Sequence, residues 1–306
     1  MSFASDVKKE LCKHYSDNPD VQRAECYGLL LFAKKFSYRQ ISLSTENSNV
    51  ANRFMDLISK NMNSIVEKKS TLFSKNSESS LITLIIPQQS DCNRIFEGFG
   101  HTDNEINLRI NRANIEDDEC IKAFLCGAFL CCGTVTDPNI DYHIEFVMPY
   151  RNLCSDLCKL ISEVPELSIT PKIIVRKGSF VAYIKGNNKV VDFLTYIGAP
   201  IKAMDIIETK IIKEIRNELN RKTNSEVANM QRTATAAAKQ VRAIEKIKTK
   251  MGFSSLPDEL RELCNLRIEN PELSLKELGE KLRPKISRSG VNHRMQRIIE
   301  ISESLK

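Results

Sequence analysis

An internal duplication restricts what this chain can fold into more than any other feature of its sequence. The stretch Ala24-Glu25-Cys26-Tyr27-Gly28-Leu29-Leu30-Leu31-Phe32-Ala33 returns 99 residues later as Ala123-Phe124-Leu125-Cys126-Gly127-Ala128-Phe129-Leu130-Cys131-Cys132, followed by Gly133. Each copy buries a glycine inside an apolar run of helix length. A glycine within a helix costs about 1 kcal/mol relative to alanine, so packing has to give something back. Lacking a Cβ, it lets a second helix approach closely. The pattern predicts two helices packed Gly28 against Gly127 across a pseudo-two-fold axis.

The rest of each copy repeats as well. Strand-like alternation follows at 39–44 and 142–147, where apolar and polar residues take turns with the period of a half-buried strand. A helix comes next, over Asn49–Lys60 with Val50, Phe54, Leu57 and Ile58 on one face, and over Asn152–Ser162 with Leu153, Leu157, Leu160 and Ile161. A hairpin is expected in each copy. The clearer one joins 171–176 to 179–184 through Lys177-Gly178, a plausible tight turn between β-branched runs. The other joins Ser64–Ser74 to Leu81–Ile86. A last helix closes each copy near Gly100 and Gly198, residues suited to a helix C-terminus. Each repeat reads αββαββα, over about 20–100 and 119–199, within a duplicated domain expected to cover 1–200.

Composition agrees with an ordinary globular protein of two or three domains: 306 residues, 42% hydrophobic and 27% charged. The apolar run Tyr27–Ala33 stops at Lys34-Lys35, far short of the ~20 residues needed to span a bilayer. The first ten residues have no apolar core, so no signal peptide is expected and the cytoplasm is the expected location. The ten cysteines are expected to stay reduced and to pack as small hydrophobes. Cys154 and Cys158 share a helical face, but no C-x-x-C occurs and there are four histidines. Core thiols are therefore expected, with no metal and no cofactor.

Charge is unevenly placed. Residues 1–198 carry 23 basic and 24 acidic side chains, whereas residues 199–306 carry 22 and 15. The whole positive excess lies in the last third. Lys281–Arg297 holds six cations and no acid. A neutral body with a basic tail is the electrostatic footprint of a nucleic-acid binder.

That tail has internal order. Residues 201–252 read as a basic helical linker in two stretches, Ile201–Leu219, with Ile206, Ile207, Ile211, Ile212 and Ile215, and Arg232–Lys250. Between them Asn217, Asn220, Asn224 and Asn229 recur. Arg216, Asn217, Asn220, Arg221 and Asn224 are secondary candidates for phosphate contact, against the plainer reading of a polar interdomain helix. Gly252 to Pro257 marks a boundary, and three helices follow over 253–306. Ser274 with Glu277 forms a capping box for the second. The third begins at Ser287 or Ser289 and has Val291, Met295, Ile298 and Ser302 on one stripe. Its other face presents Arg288, Ser289, Asn292, His293, Arg294, Gln296 and Arg297. An apolar stripe backed by short polar and basic groups near a helix N-terminus suits a recognition helix in the major groove, where Arg can pair with guanine and Asn or Gln with adenine.

The glycine-bearing helix pair followed by ββαββα resembles the LAGLIDADG homing-endonuclease fold. In that family the last turns of the paired helices hold acidic residues that bind divalent metal over a saddle-shaped sheet. Here the resemblance places Ala33 and Cys132 at the former metal positions, with Lys34 in place of the following glycine. Neither alanine nor cysteine replaces a carboxylate toward a hard cation. Asp137 lies too far along the chain to serve. No nuclease activity is expected.

Nearly the whole sequence resembles the bacterial WhiA proteins, which join such a degenerate domain to a C-terminal helix-turn-helix. The specific stretches are 2–11, Thr45-Glu46-Asn47, 123–138, 216–229, 270–279 and 286–294. The implied fold is α+β: a duplicated LAGLIDADG-like αββαββα domain, then an all-α helix-turn-helix domain over 253–306 with the motif itself at 274–306, similar to the region of sigma factors that reads the −35 element. The resemblance implies a non-enzymatic protein bound to double-stranded DNA, associated with the nucleoid and involved in transcription regulation, cell division and chromosome segregation. Other transcription or division proteins are candidate partners; membrane and small-molecule substrates are not expected. The competing readings are a metal-dependent nuclease or RNA maturase, disfavoured by Ala33 and Cys132, and a protein-interaction scaffold localised by its basic tail. The near-neutral duplicated domain is expected to touch DNA weakly.

Overall fold

A computed structural model describes every residue except Met1, 73–79, Asn104, Ile106 and Lys306. Phe73 and Ser74, expected at the end of a hairpin strand, and Lys306, in the helix-turn-helix segment, lie outside the described residues. The chain divides into two compact units, Met1–Lys213 and Glu214–Lys306.

In the first unit a short helix, α1 (Phe3–Leu11), precedes two copies of one element string. The first copy is α2 (Pro19–Leu31), β1 (Lys35–Phe36), β2 (Ile41–Thr45), α3 (Ser48–Met62), β3 (Glu67–Leu72), β4 (Ser80–Ile85) and α4 (Gln89–Gly98). The second is α5 (Asp118–Cys132), β5 (Gly133–Val135), β6 (His143–Met148), α6 (Arg151–Glu163), β7 (Lys172–Arg176), β8 (Ser179–Lys185) and α7 (Asn187–Tyr196). Each copy forms an antiparallel sheet of the same order, β1-β2-β4-β3 and β5-β6-β8-β7. The αββαββα repeat read from the sequence is therefore the fold, twice.

The two copies meet along α2 and α5. A Cβ on Gly28 would collide with the Phe124 carbonyl oxygen and stand 3.0 Å from the Ala128 nitrogen. A Cβ on Gly127 would collide with the Glu25 carbonyl oxygen and stand 2.9 Å from the Leu29 nitrogen. The contacts are reciprocal, and on both sides the neighbour is backbone. Backbone cannot swing away as a side chain can, so any larger residue forces the helices apart. Around this seam Tyr27, Leu29, Leu30, Phe124, Leu125, Ala128 and Phe129 are fully buried.

Caps and turns set the element ends. Asn18 accepts from the Asp20 N–H at 3.0 Å and Pro19 opens α2; Asp117 accepts from the Cys120 N–H at 2.7 Å to start α5. Lys177 and Gly178 both take positive φ, 48° and 81°, as the tight turn between β7 and β8 requires. On β6, Ile144, Phe146 and Met148 enter the core. On its other face, Glu145 accepts two bonds from Arg176 at 3.1 Å and His143 bonds the Thr136 hydroxyl at 2.6 Å. This is the two-residue period of a strand with one apolar face.

Burial in this unit includes charge. Arg53, 2% exposed, donates to both carboxylate oxygens of Glu25, with Nε–Oε1 at 2.8 Å, and its guanidinium lies 3.8 Å over the Tyr15 ring. Buried Glu10 accepts from the Ile201 and Lys202 backbone nitrogens at 2.8 and 2.9 Å, so α1 caps the start of a helix far along the chain, α8 (Pro200–Lys250).

Two features differ from the sequence reading. Strands β1 and β5 start within a few residues of the glycine helices, and Gly133 begins a strand directly at the end of α5. Helix α8 is one continuous element starting in the first unit and ending in the second, with the asparagine-rich stretch inside it. Asparagine lowers helix propensity by only a fraction of a kcal/mol per residue, and no Gly or Pro interrupts the segment. Of its isoleucines, Ile206 is buried in the first core, while Ile211, Ile212 and Ile215 are about half exposed.

In the second unit, α9 (Asp258–Glu269), α10 (Leu275–Lys281) and α11 (Arg288–Ser304) gather around the end of α8. Ile244 and Ile247 of α8 share a core with Leu260, Leu263, Cys264, Leu278, Val291, Met295 and Ile298.

The glycine seam gives a direct expectation. Gly127→Ala should destabilise the protein by about 2–3 kcal/mol in urea unfolding, because overpacking against backbone cannot be relieved by a rotamer change. Gly98, where a Cβ would meet no atom within 4 Å, is the control. Gly98→Ala should leave the urea midpoint unchanged or raise it. Equal effects at the two glycines would contradict the close-packed seam.

Candidate nucleic-acid interface

Helices α10 and α11 form a helix-turn-helix. Ser274 caps α10: its hydroxyl accepts from the Glu277 N–H at 3.3 Å, and the Glu277 carboxylate accepts from the Ser274 N–H at 2.8 Å. Its hydrogen bonding with Ser274 holds the Glu277 carboxyl below the usual carboxylate range. Leu278 and Leu282 are buried. The turn closes on Gly279, whose carbonyl accepts from the Ile286 N–H at 3.1 Å. A Cβ on Gly279 would collide with the Ile286 carbonyl oxygen, so only glycine lets the turn fold back this tightly.

Ser287 then caps α11, accepting from the Gly290 N–H at 3.2 Å. The stripe read from the sequence is inside: Val291, Met295, Ile298 and Ser302 are all buried. The other face is outside. Arg288, Ser289, Asn292, His293, Gln296 and Arg297 are exposed on that one face. Arg294 is the exception. It is half-buried and pairs with Glu259 of α9 at 2.7 Å, which holds α11 against its neighbour. Arg283 and Lys285 in the turn are exposed as well. The arrangement presents amide, imidazole and guanidinium donors on one side of a supported helix, with its free N–H groups at the same end. Those are the donors that base edges and phosphates accept from.

The secondary candidates lie elsewhere. Arg216, Asn217, Asn220, Arg221 and Asn224 are all exposed along α8. Among the described residues, no hydrogen bond or ion pair joins them to the α11 face.

The two positions that the resemblance aligns with metal-binding acids, Ala33 and Cys132, hold no carboxylate. Ala33 lies just past the end of α2, and Cys132 is the last residue of α5. Burial pushes the Cys132 thiol well above its usual range, and its soft sulfur is a poor ligand for a hard cation. Lys8 of α1 is placed beside Cys131 and Cys132, and its ammonium stands 5.9 Å from the centre of the Phe129 ring. Burial lowers the Lys8 pKa. Sequence reasoning missed this lysine because only the docking of α1 brings it there. Asp137 is exposed in its turn, where it accepts from the Asn139 N–H at 2.8 Å. Among the described residues, no three His, Cys, Asp or Glu side chains stand together where they could hold a metal ion. All ten cysteines are free thiols; Cys154 and Cys158 face each other inside the core. Among the described residues no helix is long and apolar enough to cross a membrane.

Comparison with known proteins gives concordant matches. Residues 121–216 match the model of the WhiA LAGLIDADG-like domain, and residues 219–302 match that of the WhiA C-terminal HTH domain. The "Probable cell division protein WhiA" of Clostridium botulinum (strain Hall) is 35% identical over 321 residues, covering 100% of this chain and 99% of the relative. The protein of that name from Clostridium acetobutylicum is also 35% identical, over 323 residues with the same coverage. The crystal structure of full-length DUF199/WhiA from Thermatoga maritima aligns with a TM-score of 0.60 at 26% identity, covering 100% of this chain and 99% of that one.

The turn glycine supplies the prediction here. Gly279→Val should lose the near-native fold of the helix-turn-helix, read as loss of amide protection in α10 and α11 by hydrogen exchange, with the first unit still protected. Full protection of α11 in that variant would show that the tight turn is not needed to seat it.

Proposed function

The chain belongs to the WhiA family, and from that premise we propose that it is a non-catalytic protein that binds double-stranded DNA through α11 and regulates transcription or nucleoid organisation during cell division and chromosome segregation. The observation that carries this reading is the exposed face of α11. It sets Arg288, Ser289, Asn292, His293, Gln296 and Arg297 on one side of a helix whose opposite side is locked into the core. The acid-free window from Lys281 to Arg297 adds a sequence-independent attraction for phosphates. Arg294 acts differently: with Glu259 as partner, it positions the helix rather than contacting DNA.

The non-catalytic half of the proposal rests on the helix ends. Hydrolysis of a phosphodiester by this architecture needs oxygen ligands for a hard cation beside the scissile bond. Ala33 offers none, Cys132 offers a sulfur rather than an oxygen, and Lys8, whose amine is no ligand for Mg²⁺, is placed beside it. The names of the Clostridium relatives support the link to cell division. Residence on the nucleoid follows from duplex binding in a bacterial cell.

Two measurements test the reading. In fluorescence anisotropy with a generic duplex, the log–log dependence of affinity on salt should flatten by about 0.9 for each phosphate contact removed. Arg288→Ala with Arg297→Ala should flatten it by about 1.8, and Arg294→Ala alone by much less. An unchanged slope in the double variant would remove α11 from the interface. With Mg²⁺ or Mn²⁺, supercoiled plasmid should stay intact; site-specific nicking would restore the nuclease reading.

A further inference from the structure

We propose that the second unit carries an oxyanion site, a cleft between the last half of α8 and the helix-turn-helix that takes a phosphate group. This rests on the reading of α11 as the DNA-facing helix only for the source of that phosphate, not for the site itself.

The cleft encloses about 560 Å³ and is walled by α8 on one side and by the start of α10 and α11 on the other. Four cations line it, Arg232, Arg267, Lys276 and Arg288, and no Asp or Glu does. Three of the four are exposed and have no ion-pair partner within 4 Å among the described residues. The fourth is unusual. Arg267 is 1% exposed, among the most buried large side chains in the protein. Its Nη1 donates to the Leu273 carbonyl at 2.6 Å, but its Nε–H has no acceptor. No carboxylate among the described residues lies within ion-pair distance of it. Gln240 of α8, 6% exposed, also lines the cleft, and its side-chain oxygen has no partner.

Buried charges and buried polar groups are normally paired, because leaving them unpaired costs the full desolvation penalty. Here a guanidinium N–H without an acceptor belongs to a buried arginine in the wall of one positively charged, acid-free cleft. An oxyanion accepts from such a donor. The Gln240 oxygen is itself an acceptor and takes no part in holding an anion. Arg232, Lys276 and Arg288 would balance the ligand's charge at the mouth. Metal cations and hydrophobic ligands are poor matches for this lining.

Arg288 connects the cleft to the DNA-facing helix, because it is both a cleft residue and the first residue of α11. A phosphodiester of bound duplex is therefore the favoured source. A free phosphate or nucleotide has the same chemistry, and the experiment separates the two.

The test uses the full chain and compares Arg232→Gln/Lys276→Gln with a control of equal charge loss, Lys239→Gln/Lys248→Gln, on exposed positions of α8 outside the cleft. All four residues are exposed, so the variants should fold. Inorganic pyrophosphate is titrated by calorimetry, and a generic duplex by anisotropy across salt concentrations. The cleft variant should lose pyrophosphate affinity by about tenfold or more, with the control unchanged. A duplex salt slope flattened by about 0.9 more than in the control identifies a DNA phosphate as occupant. Lost pyrophosphate binding with no slope difference identifies a free anion. If wild type binds no pyrophosphate and the two variants have the same slope, the site does not exist. Failure of wild type to bind duplex would overturn the function proposed for α11, while the pyrophosphate titration would still judge the cleft.

Discussion

Two helices touching through their backbones set the terms for the whole first unit. Gly28 and Gly127 leave no space for a Cβ, and each helix offers the other a carbonyl rather than a movable side chain. A contact this close fixes the spacing and rotation of α2 and α5. Everything that follows them in sequence then starts from symmetric points. β1 and β5 leave the two helix ends, the two sheets assemble in the same order, and the hydrophobic faces of α3 and α6 pack into one continuous core. Change the seam and both copies lose their common reference.

On the proposed reading, the C-terminal ends of α2 and α5 stand where a nuclease of this architecture would keep its acids, and this chain keeps the scaffold with different chemistry there. Ala33 and Cys132 supply no oxygen, and α1 lays Lys8 beside the thiols. The proposed reading lets fold and activity separate, because the seam depends on glycine at the middle of the helices, whereas metal binding would depend on side chains at their ends. Positive charge is concentrated instead in the second unit, where α11 rests on Val291, Met295 and Ile298 and turns its polar side outward.

Much of this is legible in the sequence, and the limits have physical causes. Periodicity shows α3, α6 and α11 because burial selects residues at fixed spacing along a single element. The Ser274–Glu277 cap and the Lys177–Gly178 turn are legible because their partners lie three residues apart or fewer. Gly28 and Gly127 are legible only together, since the repeat shows that two such helices exist. Strands of two or three residues, such as β1 and β5, are too short to show a period. Long-range pairs leave no local trace at all: Arg53 with Glu25, Glu10 on the start of α8, Lys8 beside Cys132, Arg294 with Glu259. At the interface, the sequence groups seven residues of α11, and only the packing of α9 separates Arg294 from the others.

Hydrogen exchange of the full chain, with and without a saturating generic duplex, tests the central claim most directly. That claim is a division of labour: a close-packed duplicated scaffold, and a separate helix-turn-helix proposed to meet DNA. The account predicts added protection at 288–297 on duplex binding, with the sheets β1–β4 and β5–β8 exchanging as before. Protection concentrated on those sheets, with 288–297 unchanged, would contradict it.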